Sequence, residues 1–270
     1  MSPGAQAGVE DGYRDYLEEL SAARPPAIEN LIVLRSTDST NQVARRIADE
    51  AAADGAAAVR SWIVAYEQTR GRGRQGRSWM SPAGQGVYAT LLVPQVEEEL
   101  LPALPLAVGL GICAALDPLV GAGCKLKWPN DVLVGGLKIA GLLIESLRRG
   151  EGAPAVLIGI GVNHGQATDQ LPSGRATSLR LAAAAAPSLA ACTWRVAVAV
   201  EQELERPGGQ SDLVARYAAR SAHAPGDRLR CQIGHDLVEG DFAGFDGRGF
   251  LRLRTAAGER LVSGGEVIDG

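Results

Sequence analysis

Residues 67–79 read Glu67-Gln68-Thr69-Arg70-Gly71-Arg72-Gly73-Arg74-Gln75-Gly76-Arg77-Ser78-Trp79, and four arginines and three glycines fall within positions 70–77. Glycine lets a backbone approach a ligand closely, and arginine supplies a permanent positive charge on a planar fork of donors. We call residues 70–77 the arginine–glycine loop, and their composition predicts binding of an anion such as a phosphate or a carboxylate. The spacing matches neither a P-loop nor a Rossmann fingerprint.

The flanks of this loop help to choose between a functional site and two simpler interpretations. Alone, such a tract is equally typical of a solvated turn or of a disordered segment that binds nucleic acid. Residues 61–66 before it and 86–93 after it are rich in apolar and β-branched side chains, which predicts a strand on each side. A loop held between two strands favours a site over a disordered tail.

Composition limits the classes of function. The 270 residues carry a net charge of −4 and 46% hydrophobic side chains. Proteins built mainly to hold nucleic acid are usually basic overall, so the local positive charge suits a small anionic ligand better. The four cysteines form no C-x-x-C pair and the three histidines show no ligand spacing, which predicts reduced, buried thiols and no zinc site. With no secretion signal visible, we expect a cytoplasmic protein.

One apolar stretch raises the question of a membrane span. Residues 100–116 carry no charge, but Pro102 and Pro105 interrupt them. A segment this short and this interrupted favours a buried helix over a transmembrane helix. We therefore expect no membrane association.

The first 28 residues are weakly patterned, and we expect them to form an N-terminal tail. A short acidic helix is predicted at 11–23, ahead of Pro25 and Pro26. The segment leaves no room for a complete helix-turn-helix domain, so we expect no DNA binding. Removal of residues 1–25 is expected to leave activity unchanged.

A run of small polar residues follows a predicted strand at 31–34. It reads Ser36-Thr37-Asp38-Ser39-Thr40-Asn41 and precedes apolar residues at helical spacing. Asp38 or Ser39 alone would suffice to cap that helix. The excess of polar side chains also suits a cradle for a neutral polar ligand such as a urea or an amide. Capping alone and capping with ligand binding both stay open at this point.

A second polar segment lies at Lys127-Trp128-Pro129-Asn130-Asp131. The dipeptide Gly135-Gly136 after it predicts a tight hairpin, and Lys138 follows in an apolar strand. A buried lysine is costly unless it meets an anion, although a lysine at a strand end also reaches solvent easily. Asn130 and Asp131 are compatible with an ordinary turn or with a site.

Two further patterns complete the chain. Residues 155–163 predict a buried strand in which Gly159 and Gly161 share one face and leave a groove. From about residue 224, short strands alternate with glycine and aspartate turns, which is typical of a small β-barrel.

Taken together and in this order, these blocks resemble the biotin–protein ligase (biotin–[acetyl-CoA-carboxylase] ligase) family. The resemblance rests on the blocks at 36–41, 68–79 and 127–131 with Lys138-Ile139-Ala140-Gly141, and residues 159–163 and 264–267 add support. It implies an α+β fold: a mixed sheet flanked by helices, similar to class II aminoacyl-tRNA synthetases, with an SH3-like small barrel after it. The implied division is a tail at 1–28, a catalytic domain at 29–222 and the barrel at 223–270.

The resemblance also implies an activity and its residues. Biotin and ATP would react to biotinyl-5′-adenylate, and biotin would pass to a lysine of a biotin carboxyl carrier protein of acetyl-CoA carboxylase or a related carboxylase. Lys138 and Arg74 would be catalytic. The implied biotin site comprises Ser39, Thr40, Asn41, Gln68, Gly71, Arg72, Gly73, Arg74, Trp79, Lys138 and Gly141. The implied ATP site comprises Arg72, Arg74, Arg77, Trp79, Lys127, Asn130, Asp131, Lys138 and Asn163, with Asp131 as a weak candidate for Mg²⁺.

Two alternatives remain from the residues. A lipoate or octanoate ligase would share the fold, but the polar side chains at 39–41 and Gln68 would have little to pair with in an apolar tunnel. A non-catalytic protein that binds nucleic acid is disfavoured by the negative net charge of the chain. Arg70 departs from the family, whose loops often have a small residue at that position. The chain is expected to be a monomer or a homodimer.

Overall fold

The computed structural model describes residues 3–148, 152–172 and 174–268. Its helices are α1 (Pro3–Ala22), α2 (Thr40–Ala53), α3 (Leu104–Leu116), α4 (Leu179–Ala182), α5 (Leu189–Leu204) and α6 (Gln210–Ala219). Its strands are β1 (Leu31–Thr37), β2 (Ser61–Gln68), β3 (Gly86–Val93), β4 (Cys124–Lys127), β5 (Asp131–Val134), β6 (Leu137–Leu147), β7 (Ala155–Asn163), β8 (Arg228–Ile233), β9 (Asp236–Phe245), β10 (Leu251–Thr255), β11 (Gly258–Val262) and β12 (Glu266–Ile268).

The first seven strands form one mixed sheet in the order β1-β2-β3-β7-β6-β5-β4. Only β1 and β2 run parallel within it, and the other neighbours are antiparallel. The predicted hairpin joins β5 to β6, and Gly135 and Gly136 both adopt the positive φ angles, 58° and 80°, that such a turn requires. The α+β class expected from the sequence is confirmed.

Successive side chains of each strand lie on opposite faces of the sheet, and an apolar layer covers each face. Ile63 of β2 and Leu157 of β7 pack with Ala44 and Ala48 of α2 on one face. Trp62 and other side chains on the opposite face of the sheet pack into the larger core, which includes α3 and α5. The result is a sheet covered by helices on both faces, with α2 alone over the first.

Helix α3 explains the long apolar stretch in the sequence. Eleven residues of this 13-residue helix are buried. Among the described residues, one helical stretch, Glu98–Leu116, is long and apolar enough to span a membrane, and 67% of its most apolar part is buried inside the fold. Its lack of charge is therefore explained by its place in the core, between the sheet and α5. All four cysteines are free and buried, as expected.

Helix α1 differs from the expected tail. Tyr16 and Leu20 are buried in the main core, and so is Ile28 after the helix. Trp194 of α5 donates its indole N–H to the Leu20 carbonyl at 3.1 Å. The large apolar residues of α1 were too few to reveal this packing from the sequence. Removal of residues 1–25, expected from the sequence to leave activity unchanged, would take Tyr16 and Leu20 out of the core and is therefore expected to destabilise the protein.

We expect Leu20→Ala to lower the free energy of unfolding by about 2–5 kcal/mol, since it leaves a cavity at a fully buried position. Urea denaturation followed by tryptophan fluorescence measures this change. Glu18→Ala, at an exposed position of the same helix, is the control. Equal stability of the two variants, to within about 0.5 kcal/mol, would show that α1 is not part of the core.

The last five strands form a second, antiparallel sheet in the order β11-β10-β9-β8-β12. Tyr217 of α6 packs edge-on against Phe245 of β9, with ring centroids 5.3 Å apart. The indole N–H of Trp128 donates to the carbonyl of Gly249 at 3.1 Å, in buried surroundings. This sheet therefore adjoins the polar segment that precedes β5.

Candidate active site

A pocket lies where the start of α2, the arginine–glycine loop, β6 and β7 meet. It holds about 450 Å³ of space, counted out to its open mouth. Three sequence blocks that are far apart in the chain come together here. The predicted site residues that line it are Ser39, Thr40, Asn41, Gln68, Arg72, Gly73, Arg74, Trp79, Asn130, Lys138 and Gly141.

The start of α2 is held in a way that leaves a hydroxyl at the pocket. Ser39 is the N-cap residue, yet its side chain makes no capping hydrogen bond. The Thr40 N–H donates instead to Gln68 Oε1 at 2.8 Å, and Asp38 Oδ1 accepts from the Ser39 N–H at 2.8 Å. Ser39 therefore does not cap the helix with its side chain, and it lines the pocket.

We call Ser39, Thr40, Asn41 and Gln68 the polar cradle, and hydrogen bonds connect it to the sheet. Gln68 Nε2 donates to Ser81 Oγ at 2.9 Å, and this hydroxyl donates to the Trp79 carbonyl at 3.1 Å. Thr90 of β3, with no exposed surface, lies 2.8 Å from Thr40 Oγ1 and 2.6 Å from Asn41 Oδ1. The cradle is thus a hydrogen-bonded arrangement of three buried polar residues and the half-buried Gln68.

Two glycines of β7 make room for cradle and pocket side chains. A Cβ atom at Gly161 would lie 2.4 Å from Trp79 Cε2, and one at Gly159 would lie 2.4 Å from Asn41 Oδ1. Any side chain at these positions would therefore collide with Trp79 or with Asn41. The groove expected from the spacing of the two glycines is present, and it is partly filled by these two residues.

The arginine–glycine loop is ordered across the mouth of the pocket. The Gly73 N–H donates to the Arg77 carbonyl at 2.7 Å, and the Trp79 N–H donates to the Gly71 carbonyl at 2.9 Å. Gln75 and Gly76 both adopt positive φ angles at the tip. The loop is therefore a compact hairpin, in agreement with the interpretation as a site loop between two strands.

Three cations of the pocket each have a polar partner. Lys138 Nζ lies 2.7 Å from Asp131 Oδ1 and 5.4 Å from the centre of the Trp79 ring. Arg74 Nη1 donates to Asn130 Oδ1 at 2.6 Å, and burial lowers the pKa of Arg74 from its usual value. Arg72 Nη1 lies 3.3 Å from Glu145. A neutral polar cradle and a set of cations therefore share one pocket.

Comparison with known proteins now adds evolutionary evidence. Residues 33–163 match the model of the biotin/lipoate A/B protein ligase family. The biotin–[acetyl-CoA-carboxylase] ligase of Paracoccus denitrificans is 34% identical over 246 residues, which cover 88% of this chain and the whole of that protein. The enzyme of the same name from Mycobacterium tuberculosis is 34% identical over 251 residues, 88% of each chain. The chain belongs to the biotin–[acetyl-CoA-carboxylase] ligase family.

A solved structure agrees with this family assignment. The biotin protein ligase from Aquifex aeolicus, determined in complex with biotin and ATP, superposes with a TM-score of 0.70 at 26% identity. The match covers 89% of this chain and 98% of the other. The fold expected from the resemblance to biotin ligases is confirmed.

Five residues assigned to the ligase site from the sequence do not line the pocket. Arg77 forms an ion pair with Glu266 of β12. Asn163, at the end of β7, donates to the carbonyl of Thr177 at 2.9 Å and is buried. The other three are Gly71, Lys127 and Asp131.

Sequence analysis missed two polar residues beside the ligase pocket. Thr90 lies between apolar residues of β3, and Glu145 directly follows the apolar run Leu142-Leu143-Ile144 of β6. A polar side chain at an inward position of a buried strand is a usable signal, because it requires a partner. Glu145 has only 17% of its side chain exposed, and it contacts Asn41, Arg45 and Arg72.

Proposed function

We infer that this chain joins biotin to ATP, releases pyrophosphate and transfers biotin from the resulting biotinyl-5′-adenylate to a lysine of a carrier protein. The observation that carries the inference is a neutral polar cradle and a set of cations in the same pocket. One part suits a neutral ring, and the other suits phosphates and a carboxylate. Family membership supports the same activity.

We propose that biotin binds along the cradle. Its ureido ring is neutral and carries two N–H donors and one carbonyl acceptor, which suit the hydroxyl and amide groups of Ser39, Thr40, Asn41 and Gln68. Trp79, Gly141 and Leu142 provide apolar wall for the rest of the molecule. Gly71 and Gly73 keep the loop backbone close to this wall. A lipoate ligand carries no ureido group and would offer the cradle no matching donors and acceptor.

The cations are proposed to act in the adenylation step. A carboxylate oxygen of biotin attacks the α-phosphorus of ATP, and the bond to the pyrophosphate oxygen breaks, so pyrophosphate leaves. Negative charge collects on the α-phosphate oxygens and on the leaving group. Lys138, Arg72 and Arg74 line the pocket and can stabilise this charge. Lys138 and Arg74 are the proposed catalytic residues.

The remaining assignments concern the nucleotide. We propose that Trp79 and Asn130, which line the pocket, contact ATP. The assignments to Arg77, Lys127 and Asn163 require the nucleotide to extend beyond the pocket mouth toward β4, β7 and the second sheet. They remain predictions from the family motifs.

Asp131 is the candidate ligand for the Mg²⁺ that accompanies ATP. Proteins usually hold this ion with one or two carboxylates together with substrate phosphates, so a single carboxylate beside the cations fits. Among the described residues, no three or more His, Cys, Asp and Glu side chains form a metal cluster. When bound, the ion would neutralise phosphate charge. Asp131 Oδ1 also accepts from Asn130 Nδ2 at 3.0 Å, which holds the carboxylate in place.

The second half-reaction delivers biotin to its carrier. The ε-amine of the carrier lysine attacks the acyl carbon of the adenylate, an amide bond forms, AMP leaves and the amine loses a proton. We propose that the acceptor is the biotin carboxyl carrier protein of acetyl-CoA carboxylase or a related carboxylase. We further propose that the protein is a cytoplasmic monomer or homodimer and that it binds neither DNA nor membrane.

Pyrophosphate release from Mg·ATP tests the inference directly. We expect the purified protein to release pyrophosphate with biotin, but not with lipoate or without an acid, and to retain a bound adenylate. Release that requires lipoate would reverse the substrate assignment. Release with neither acid would contradict the inferred activity, and salt-dependent nucleic-acid binding would then be measured.

We expect Gly161→Ala to lower biotin-dependent pyrophosphate release by about 100-fold, because the new methyl group displaces the Trp79 ring and reshapes the pocket wall. Steady-state rates with biotin and ATP measure this loss. Gly121→Ala is the matched control, since its Cβ would meet nothing within 4 Å. Equal rates for the two variants would refute the role of the glycine.

A further inference from the structure

Glu145 of β6 brings together groups from α2 and from the arginine–glycine loop. Its carboxylate accepts from Asn41 Nδ2 at 2.8 Å and from Arg45 Nη2 at 3.1 Å, one helical turn apart on α2. Arg72 Nη1 approaches it to 3.3 Å from the loop. Only 17% of the Glu145 side chain is exposed. Two of these three partners line the pocket, although Glu145 itself does not.

The carboxylate determines which way the amide of Asn41 is turned. An ionised carboxylate only accepts hydrogen bonds, so Asn41 must present its NH₂ group to Glu145. Its Oδ1 then faces the hydroxyl of Thr90 at 2.6 Å. Because an amide oxygen also only accepts, the single proton of Thr90 points to Asn41.

This chain meets the rest of the cradle at Thr90. The Thr90 oxygen also lies 2.8 Å from Thr40 Oγ1. The Thr40 hydroxyl donates to Gln68 Oε1 at 3.2 Å, and the Thr40 N–H donates to the same oxygen at 2.8 Å. The hydrogen bonds therefore run from Thr90 through Asn41 to Glu145, beside Thr40, whose hydroxyl oxygen lone pairs suit an N–H group of a ureido ring.

The same carboxylate also restrains the loop. Charge-assisted N–H···O bonds are typically 2.7–2.9 Å long, so the 3.3 Å contact of Arg72 is a loose one. Glu145 therefore holds Arg72 beside the pocket, and Arg72 can move to an anionic ligand at small cost.

We propose that Glu145 is a positioning residue that fixes the hydrogen-bond direction of the polar cradle and restrains Arg72 beside the pocket. The proposal rests on the biotin-dependent reaction inferred above. Glu145 touches no reacting atom and acts through Asn41, Thr90 and Arg72. Its removal should therefore affect biotin more strongly than ATP.

The test compares Glu145→Gln with Arg45→Gln in the full chain. Glutamine keeps the shape but can offer either an oxygen or an NH₂ group to Asn41, so the direction of the chain is lost. We expect at least a tenfold rise in the KM for biotin in pyrophosphate release, with the KM for ATP changed less than threefold. Arg45→Gln removes one partner of the same carboxylate from outside the pocket and should keep both KM values within threefold.

The outcomes separate this proposal from a purely structural ion pair and from failure of the inferred function. Wild-type protein that releases no pyrophosphate with biotin refutes the function itself. If the wild type is active and Glu145→Gln keeps its KM for biotin, the positioning role is wrong. Equal effects of the two variants on the KM for biotin would also overturn it, since a structural ion pair predicts that result.

A second variant keeps the test decisive if Glu145→Gln does not fold. Thr90→Val removes the first donor of the same chain without changing charge or shape, and Thr90→Ser preserves the hydroxyl. We expect Thr90→Val to raise the KM for biotin at least tenfold and Thr90→Ser to restore it to within threefold of wild type. An unchanged KM in Thr90→Val would overturn the proposal.

Discussion

Lys138→Ala is expected to lower the rate of biotin-dependent pyrophosphate release by about 100- to 1,000-fold, because it removes a positive charge at the point where phosphate charge develops. Lys138 lines the pocket and lies 2.7 Å from Asp131. Alanine also leaves the Asp131 carboxylate beside the pocket without its cation. Rapid-quench measurement of pyrophosphate under saturating biotin and ATP gives the rate.

The matched control for this variant is Lys125→Ala. Lys125 lies on β4 of the same sheet, is exposed and does not line the pocket. We expect its rate to stay within twofold of wild type. Thermal unfolding of both variants should stay close to wild type, since 31% of the Lys138 side chain is exposed and it contributes little apolar packing. A Lys138→Ala rate within threefold of the control would remove Lys138 from the catalytic step.

Arg74→Gly is expected to let the adenylate escape. The substitution removes a cation from the pocket and the 2.6 Å hydrogen bond that ties the loop to Asn130. A hydrogen bond from a charged group is worth about 1.5–3 kcal/mol, so escape should accelerate by about 10- to 150-fold. Free adenylate then acylates lysines at random. Mixing the variant with biotin, ATP and excess serum albumin should give biotinylated albumin, detected on a streptavidin blot.

Arg70→Gly is the control for this experiment. It removes the same charge from the same loop and adds the same flexibility, but Arg70 is exposed and does not line the pocket. We expect it to label the carrier domain and leave albumin unlabelled. Labelling of albumin by both variants would mean that loop flexibility, not Arg74, controls retention. Strict labelling of the carrier by Arg74→Gly would contradict the prediction.

The parts of the site that were predictable from sequence are those in which the residue type itself points to a ligand. Arginines separated by glycines and a crowded polar run have few purely structural uses, so their convergence at one pocket was foreseeable. The hairpin at Gly135 and Gly136 was equally local, because two successive positive φ angles favour glycine.

The parts that escaped sequence analysis depend on contacts between distant segments. Nothing near Glu145 indicates that Asn41 and Arg72, about a hundred and about seventy positions earlier, will donate to it. The packing of α1 was hidden for a similar reason, since Leu20 meets its partner Trp194, 174 positions later in the chain. A short polar motif can be recognised from its own sequence, whereas its contacts with residues far along the chain are known only from the fold.

The ion pair between Arg77 and Glu266 links the loop to the last strand of the second sheet. During synthesis on a ribosome, every residue that lines the pocket leaves the exit tunnel before Glu266 does, because the last of them is Gly161. A nascent chain can thus assemble the pocket while its loop still lacks this partner. Synthesis of β12 therefore completes the anchoring of the loop.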